Sequence, residues 1–182
     1  KLVHFFDSLS GNSGYIILKL DLHKAYDCWE WSFAPSTLES LGIPLWMVAL
    51  IFHCISTSSM AINWNGNQSQ TFLLSHGLWQ GDPMSLLLFV LCMGLSHIIQ
   101  DVVLEGKWHP FSFGRYQRVQ VSHLFFVDDL ILVAKASMSQ VETIKDMLDI
   151  FSKAFGLRVN GQKFIIYFSK NVSREMGCNI SN

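Results

Sequence analysis

Residues 119–134 read VQVSHLFFVDDLILVA, and Asp128 and Asp129 interrupt an otherwise mostly apolar stretch. Two apolar runs on either side of a two-residue polar break are typical of two strands joined by a tight turn. We therefore predict strands at 119–127 and 130–134, with both carboxylates at the tip of the hairpin.

The segments around this hairpin alternate between strand and helix patterns. YIILKLDL (15–22) is predicted to form a buried strand, and Asn65-Gly66 suits the two-residue turn of a second hairpin. Ser137 and Gln140 have the spacing of a capping box at the start of an amphipathic helix. Four helices, at 32–41, 44–56, 82–100 and 137–155, and a last strand at 164–168 complete the prediction. This order predicts an α+β fold, an antiparallel sheet with helices on one face.

Composition limits the function classes. With 182 residues, 50% hydrophobic and 13% aromatic, the chain can bury a core and is not intrinsically disordered. Only 15% of the residues are charged, which predicts a poorly soluble surface. The formal charge of -1 argues against a self-sufficient nucleic-acid binder. The four cysteines form no CxxC pair, so neither a disulfide framework nor a zinc knuckle is indicated.

Residues 83–100 contain no Asp, Glu, Lys or Arg and approach the length of a membrane span. The segment nevertheless contains Ser96, His97 and Gln100, and Asp82-Pro83 is a good helix start, so we favour a buried helix over a membrane-attached protein. The chain begins at Lys1 and not at Met, which favours a piece of a longer protein. Its first residues lack the apolar run of a signal peptide, so nothing in the sequence indicates secretion.

The acidic residues suggest a metal site. Asp21 ends an apolar strand, while Asp128 and Asp129 lie at a hairpin tip, so adjacent strands would bring three carboxylates to one edge. Repulsion between them would be relieved by Mg²⁺, which prefers oxygen ligands. Two such ions about 3.5–4 Å apart suit nucleotidyl transfer. The alternative is that Asp128-Asp129 only keeps a turn solvated, and the pattern alone leaves both open.

Four motifs in order point to a known family: LDLHKAYD (20–27), GLWQGDPMS (77–85), HLFFVDD (123–129) and GLRVNGQK (156–163). Together they resemble the reverse transcriptase domain of LINE-type (non-LTR) retrotransposons, especially plant ones. The resemblance runs from about Tyr15 to Ser169 and implies a polymerase palm (a ferredoxin-like sheet) with part of the fingers. We expect a single domain over 1–182 without a thumb, RNase H or endonuclease domain, because the chain ends soon after the Lys163 motif.

The same resemblance implies RNA-templated DNA synthesis from deoxynucleoside triphosphates on a primer 3′-OH. The expected partners are an RNA template, a DNA primer and the dNTP, with no membrane. Two Mg²⁺ ions are expected only with substrate bound. Asp21, Asp128 and Asp129 match the family's metal ligands, and Lys163 matches a lysine near the triphosphate that donates a proton or stabilises charge.

Three further residues match the family's nucleotide-binding positions. Tyr26 corresponds to the aromatic residue that blocks a ribose 2′-OH, although it could also be an ordinary half-buried aromatic in a turn. Gln80 and Gly81 correspond to the loop that touches the incoming nucleotide and the template. A glycine there lets the backbone approach a substrate closely.

Several positions depart from the family pattern, and these favour a second hypothesis, a catalytically silent remnant. Each of eight changes is reachable by one C-to-T change, which indicates a copy decaying by cytosine deamination; Trp29 does not fit that route. Relative to the family pattern, one acidic residue is also missing between Met93 and Gly94, and such a deletion would rotate the downstream helix face by about 100°. The eight are Cys28, His76 and Trp79 for Arg, Leu74 and Leu86 for Pro, Phe155 and Phe164 for Ser, and Val127 for Ala.

Overall fold

The computed structural model describes residues 14–23, 27, 31–79, 81–113, 119–126, 129–155, 158–160 and 163–181. Five α-helices lie in these ranges: α1 Ala34–Ser40, α2 Leu45–Ser56, α3 Leu88–Leu104, α4 Met138–Phe155 and α5 Arg174–Ser181. Short 3-10 turns, Trp31–Phe33 and Pro83–Leu87, precede α1 and α3. The strands are β1 Tyr15–His23, β2 Ser59–Met60, β3 Asn63–Trp64, β4 Asn67–Gln68, β5 Phe72–Leu73, β6 Phe111–Phe113, β7 Val119–Val121, β8 His123–Phe126, β9 Asp129–Lys135, β10 Arg158–Val159 and β11 Ile165–Phe168.

Strand β1 is the centre of a five-stranded antiparallel sheet. On one side it pairs with β9 over its first seven residues, and β9 in turn pairs with β8. On the other side β1 pairs with β11 along its first half and with β10 at its end. The predicted α+β class with an antiparallel sheet is confirmed.

The main core lies between the helices and one face of this sheet. Alternate β1 residues, from Ile16 to Leu22, point into this core, as the period of two in a strand requires. Buried side chains of α3 and α4 pack against them: Leu95, Ile99, Ile144, Met147 and Phe151. The other face carries a smaller cluster of Ile17, Val133 and Phe111.

A β6–β7 hairpin supplies Phe111 to this second face, and the sequence did not indicate it. The predicted strand 119–127 was wrong in extent, because β7 pairs with β6 whereas β8 pairs with β9. Ser122 separates the two strands, and its carbonyl accepts a hydrogen bond from the Val133 amide at 2.7 Å. The segment 119–126 therefore pairs with two different strands, β6 and β9.

The predicted helix at 82–100 begins as a 3-10 turn and continues as α3 to Leu104, four residues farther than predicted. Asp82 accepts a hydrogen bond from the Met84 amide at 2.7 Å, which caps the 3-10 turn. Leu95 and Ile99 are fully buried, so the helix face downstream of the inferred deletion still packs into the core. No helix in the described ranges is both long and apolar enough to cross a membrane.

The Asn65-Gly66 hairpin is confirmed. Asn65 and Gly66 have φ angles of 50° and 80°, the left-handed values that a type I′ turn requires. Trp64 and Asn67 face each other across this turn, and β2 pairs with β5 farther out.

The capping box at α4 is only half correct. Ser137 Oγ accepts a hydrogen bond from the Gln140 amide at 3.4 Å, but the Gln140 side chain does not point back to Ser137. Its Oε1 accepts from the His109 amide and its Nε2 donates to the Lys107 carbonyl, each at 2.7 Å. The buried Gln140 side chain therefore joins α4 to the 107–109 loop. Its amide supplies hydrogen-bond partners to backbone groups of that loop, which need them once they are covered from water.

Candidate functional site

Asp21 and Asp129 lie directly opposite each other on neighbouring strands. The β1–β9 register pairs the two residues. Side chains of directly opposed residues lie on the same face of an antiparallel pair, with Cβ atoms about 4.5–5.5 Å apart. Two carboxylates in this position repel each other, so the edge requires positive charge.

Two lysines supply that charge. Lys163 Nζ lies 3.2 Å from Asp21 Oδ2, and Lys19 Nζ lies 3.1 Å from Asp129 Oδ1. The Asp21 side chain is only 16% exposed, whereas Lys163 is 66% exposed. Each carboxylate in the described part of this edge thus has one ammonium partner.

Asn160 holds the turn that carries Lys163. Its amide donates to the Asp21 carbonyl at 2.8 Å, and its Nδ2 donates to Asp21 Oδ2 at 3.3 Å. The Lys163 amide donates to the Asn160 carbonyl at 3.1 Å, which closes the turn after β10. Sequence reasoning overlooked Asn160, although it lies within the GLRVNGQK motif directly after the short strand.

The structure brings together three of the residues that the resemblance selected, namely Asp21, Asp129 and Lys163. Asp128, Tyr26 and Gln80 lie outside the described residues. Gly81 has a φ of 94° and open space around the position of a Cβ. Its backbone conformation alone therefore favours glycine.

The donor atoms at this edge suit a hard divalent cation. Asp21 and Asp129 offer carboxylate oxygens, which are the ligands that Mg²⁺ prefers, and no sulfur or imidazole competes in the contacts described above. Within the described ranges no three His, Cys, Asp or Glu side chains gather into a metal-binding group. The third expected carboxylate, Asp128, belongs to the part that is not described.

A second feature is an open groove of about 440 Å³ between the end of α2, the β2–β5 hairpin and the segment leading to Asp82. Its lining is mostly apolar and includes Leu78, the exposed Trp79 and Met84. No charged residue occurs between Glu39 and Asp82. The groove has room for flat or apolar groups. The charged residue among those that line it is Asp82, whose carboxylate would repel a phosphate.

The comparisons with known proteins agree on one family. The family described as reverse transcriptase (RNA-dependent DNA polymerase) matches residues 5–180. The chain is 28% identical over 148 residues to the retrovirus-related Pol polyprotein of the type-2 retrotransposable element R2DM of Drosophila melanogaster, covering 81% of this chain and 13% of that protein. It is 25% identical over 152 residues to the Pol polyprotein of the type-1 retrotransposable element R2 of Popillia japonica, covering 83% and 20%. The chain thus spans a fifth or less of these relatives.

Solved structures share the fold. Telomerase from Candida albicans, in complex with a TWJ fragment of telomeric RNA, superposes with a TM-score of 0.66 at 13% identity, covering 88% of this chain and 27% of that one. Telomerase from Candida tropicalis, in a corresponding complex, gives a TM-score of 0.67 at 12% identity, covering 93% and 28%. At this level of identity the likeness concerns the fold alone.

Proposed function

Because this chain belongs to the reverse transcriptase family, as its relatives among the non-LTR R2 retrotransposons also indicate, we propose that its Asp21–Asp129 edge is a polymerase centre. The reaction is RNA-directed DNA synthesis, and the sheet with its helices is the palm. The observation that carries the proposal is the β1–β9 register, which sets the two carboxylates opposite each other.

In this reaction the primer 3′-hydroxyl loses its proton to water, its oxygen forms a bond to the α-phosphorus of a dNTP, and the bond from that phosphorus to the pyrophosphate leaving group breaks. Two magnesium ions bound with the substrate would make the primer hydroxyl a better nucleophile and stabilise the charge on pyrophosphate. Asp21, Asp128 and Asp129 would hold them. Lys163 is mostly exposed, so its ammonium can leave Asp21 and either donate a proton to the pyrophosphate or stabilise its charge.

Nucleotide selection is proposed for the residues that match the family motifs. Tyr26 would exclude a ribose 2′-OH, and Gln80 with Gly81 would contact the incoming nucleotide and the template. The left-handed backbone of Gly81 supports this, since a loop without a Cβ permits close approach.

An RNA template paired with a DNA primer is the proposed nucleic-acid partner. The telomerases with the same fold were solved with an RNA fragment, which supports this proposal. Trp79 lines the groove and is exposed, so a base could stack on it. Stacking would partly offset the missing charge, because each lost phosphate contact weakens binding.

A second candidate is a catalytically silent remnant of the same domain. It is favoured by the absence of charge between Glu39 and Asp82 and by Trp79 at a position where the family carries Arg. The motif resemblance supports the origin that we propose, a plant LINE-type element, and the C-to-T pattern of the eight departures supports its alteration by cytosine deamination. An even spread of base changes between its coding DNA and intact relatives would contradict the deamination.

Primer extension distinguishes the two candidates. The chain is incubated with an RNA template, a DNA primer, dNTPs and Mg²⁺, and product length is measured. An active polymerase extends the primer, stops when EDTA removes the metal, and loses activity in Asp128→Asn. Asp146→Asn, the same change at an exposed position of α4, is the matched control and retains activity. No extension by a cooperatively folded chain would contradict the polymerase and favour the remnant.

A further inference from the structure

We propose that Lys19 forms an ion pair with Asp129 in the metal-free chain, and that this pair must break before a divalent cation can bind Asp129. Lys19 is thus a positioning residue, which acts on the cation through Asp129. The inference deepens the proposed function and rests on Asp129 being a metal ligand. Lys19 matched none of the functional positions inferred from the sequence.

The strand geometry brings Lys19 to the carboxylates. Lys19 and Asp21 are two residues apart on β1, so their side chains lie on the same face of the sheet. Asp129 is opposite Asp21, and Lys19 reaches it diagonally, with Nζ 3.1 Å from Oδ1. The residue directly opposite Lys19 is Ile131, which offers no competing acceptor from its side chain.

Lys19 is held close to this position by its backbone. Leu18 and Leu20, on either side of it, are buried in the main core, so the strand cannot carry the lysine away. Both Lys19 and Asp129 are 39% exposed, so solvent only partly screens the pair. Lys163, by comparison, is 66% exposed and sits on a turn.

The two ion pairs have a consequence for metal binding. Lys19 on Asp129 and Lys163 on Asp21 relieve the repulsion between the carboxylates without any metal. A divalent cation must therefore displace an ammonium, and the displaced Lys19 stays near enough to repel it. This competition would weaken, but not prevent, the binding of a cation without nucleotide, and phosphate oxygens from a nucleotide would strengthen it.

The test uses Mn²⁺ as the probe and the full 182-residue chain without nucleotide. Free Mn²⁺ is measured by electron paramagnetic resonance during a titration at low ionic strength. Lys19→Met is expected to bind Mn²⁺ roughly threefold to tenfold more tightly than the unsubstituted chain, in line with the strength of partly exposed ion pairs. Lys19→Arg, which keeps the pair, is expected to stay within about twofold.

Lys135→Met is the matched control, because it removes the same charge from an exposed position at the far end of β9. It is expected to leave the affinity unchanged. Adding Asp129→Asn to Lys19→Met should abolish the gain. Lys19→Gln provides a second neutral variant in case the methionine disturbs folding, which circular dichroism monitors.

Equal Mn²⁺ affinities for the Lys19→Met, Lys19→Gln and Lys135→Met variants would overturn the inference, and so would the absence of binding in all of them. A positive primer-extension result would stand in either case, because primer extension depends on metal that binds together with the nucleotide. Conversely, a clear Lys19 effect without any primer extension would leave the cation site in place and contradict the polymerase. The two proposals can therefore fail separately.

Discussion

Replacing Asp21 by Asn is expected to reduce the rate of single-nucleotide incorporation by about 10³-fold, which corresponds to about 4 kcal/mol of transition-state stabilisation. The amide keeps the size of the side chain but removes the charge that a cation requires. Asp21 is the less exposed of the two described carboxylates in the site, so water cannot fully replace it. Rapid-quench kinetics with a labelled primer measures the effect.

The same variant should remain folded. Asp21→Asn loses the ion pair with the exposed Lys163 but also relieves the repulsion from Asp129, so the two effects on stability oppose each other. The midpoint of thermal unfolding without metal is expected to change by only a few degrees. A loss of activity that merely parallels unfolding, or a variant as active as the original, would contradict the catalytic role.

Truncating Leu132 to Ala is expected to lower the free energy of unfolding by about 3–4 kcal/mol. Leu132 is fully buried on β9, opposite Leu18 of β1, and belongs to the main core. This is a large share of the 5–15 kcal/mol that stabilises a typical domain. Urea denaturation, followed by circular dichroism, measures it.

Leu124→Ala is the matched control for this truncation. Leu124 lies on the neighbouring strand β8 and is exposed, so removing its side chain leaves no cavity. We expect a cost below about 1 kcal/mol. Equal losses of unfolding free energy in the two variants would mean that the face of β9 that carries Leu132 does not pack into the core.

Local patterns predicted the elements whose signals lie within one segment. β1, α2, the Asn65-Gly66 turn and α4 follow from apolar periodicity and turn chemistry. The short β10 pairs with β1, a partner distant in the chain that no local pattern reveals. The β6–β7 hairpin is local, but its three-residue strands are too short to show a clear alternation of apolar and polar residues. The sequence pattern likewise predicted that Asp129 lies in the turn with Asp128, whereas Asp129 is the first residue of β9.

The candidate site was predictable in its residues but not in its contacts. The motifs selected Asp21, Asp129 and Lys163, and the expectation that Asp21 meets the hairpin was conditional on adjacent strands. Register decides which side chains face each other, and a slip of one residue would turn Asp129 to the other face. The diagonal contact of Lys19 also follows from register, so it could not be read from the sequence.

Anomalous scattering from Mn²⁺ tests the proposed polymerase centre most directly. Crystals of the chain are grown with an RNA template, a dideoxy-terminated DNA primer, a matching dNTP and Mn²⁺. The expected result is a Mn²⁺ ion, located by its anomalous peak, that is coordinated by carboxylate oxygens of both Asp21 and Asp129. Lys19 and Lys163 are then expected to have lost their ion pairs with those oxygens. A bound dNTP whose Mn²⁺ peaks lie away from this edge, with both lysine pairs intact, would contradict it.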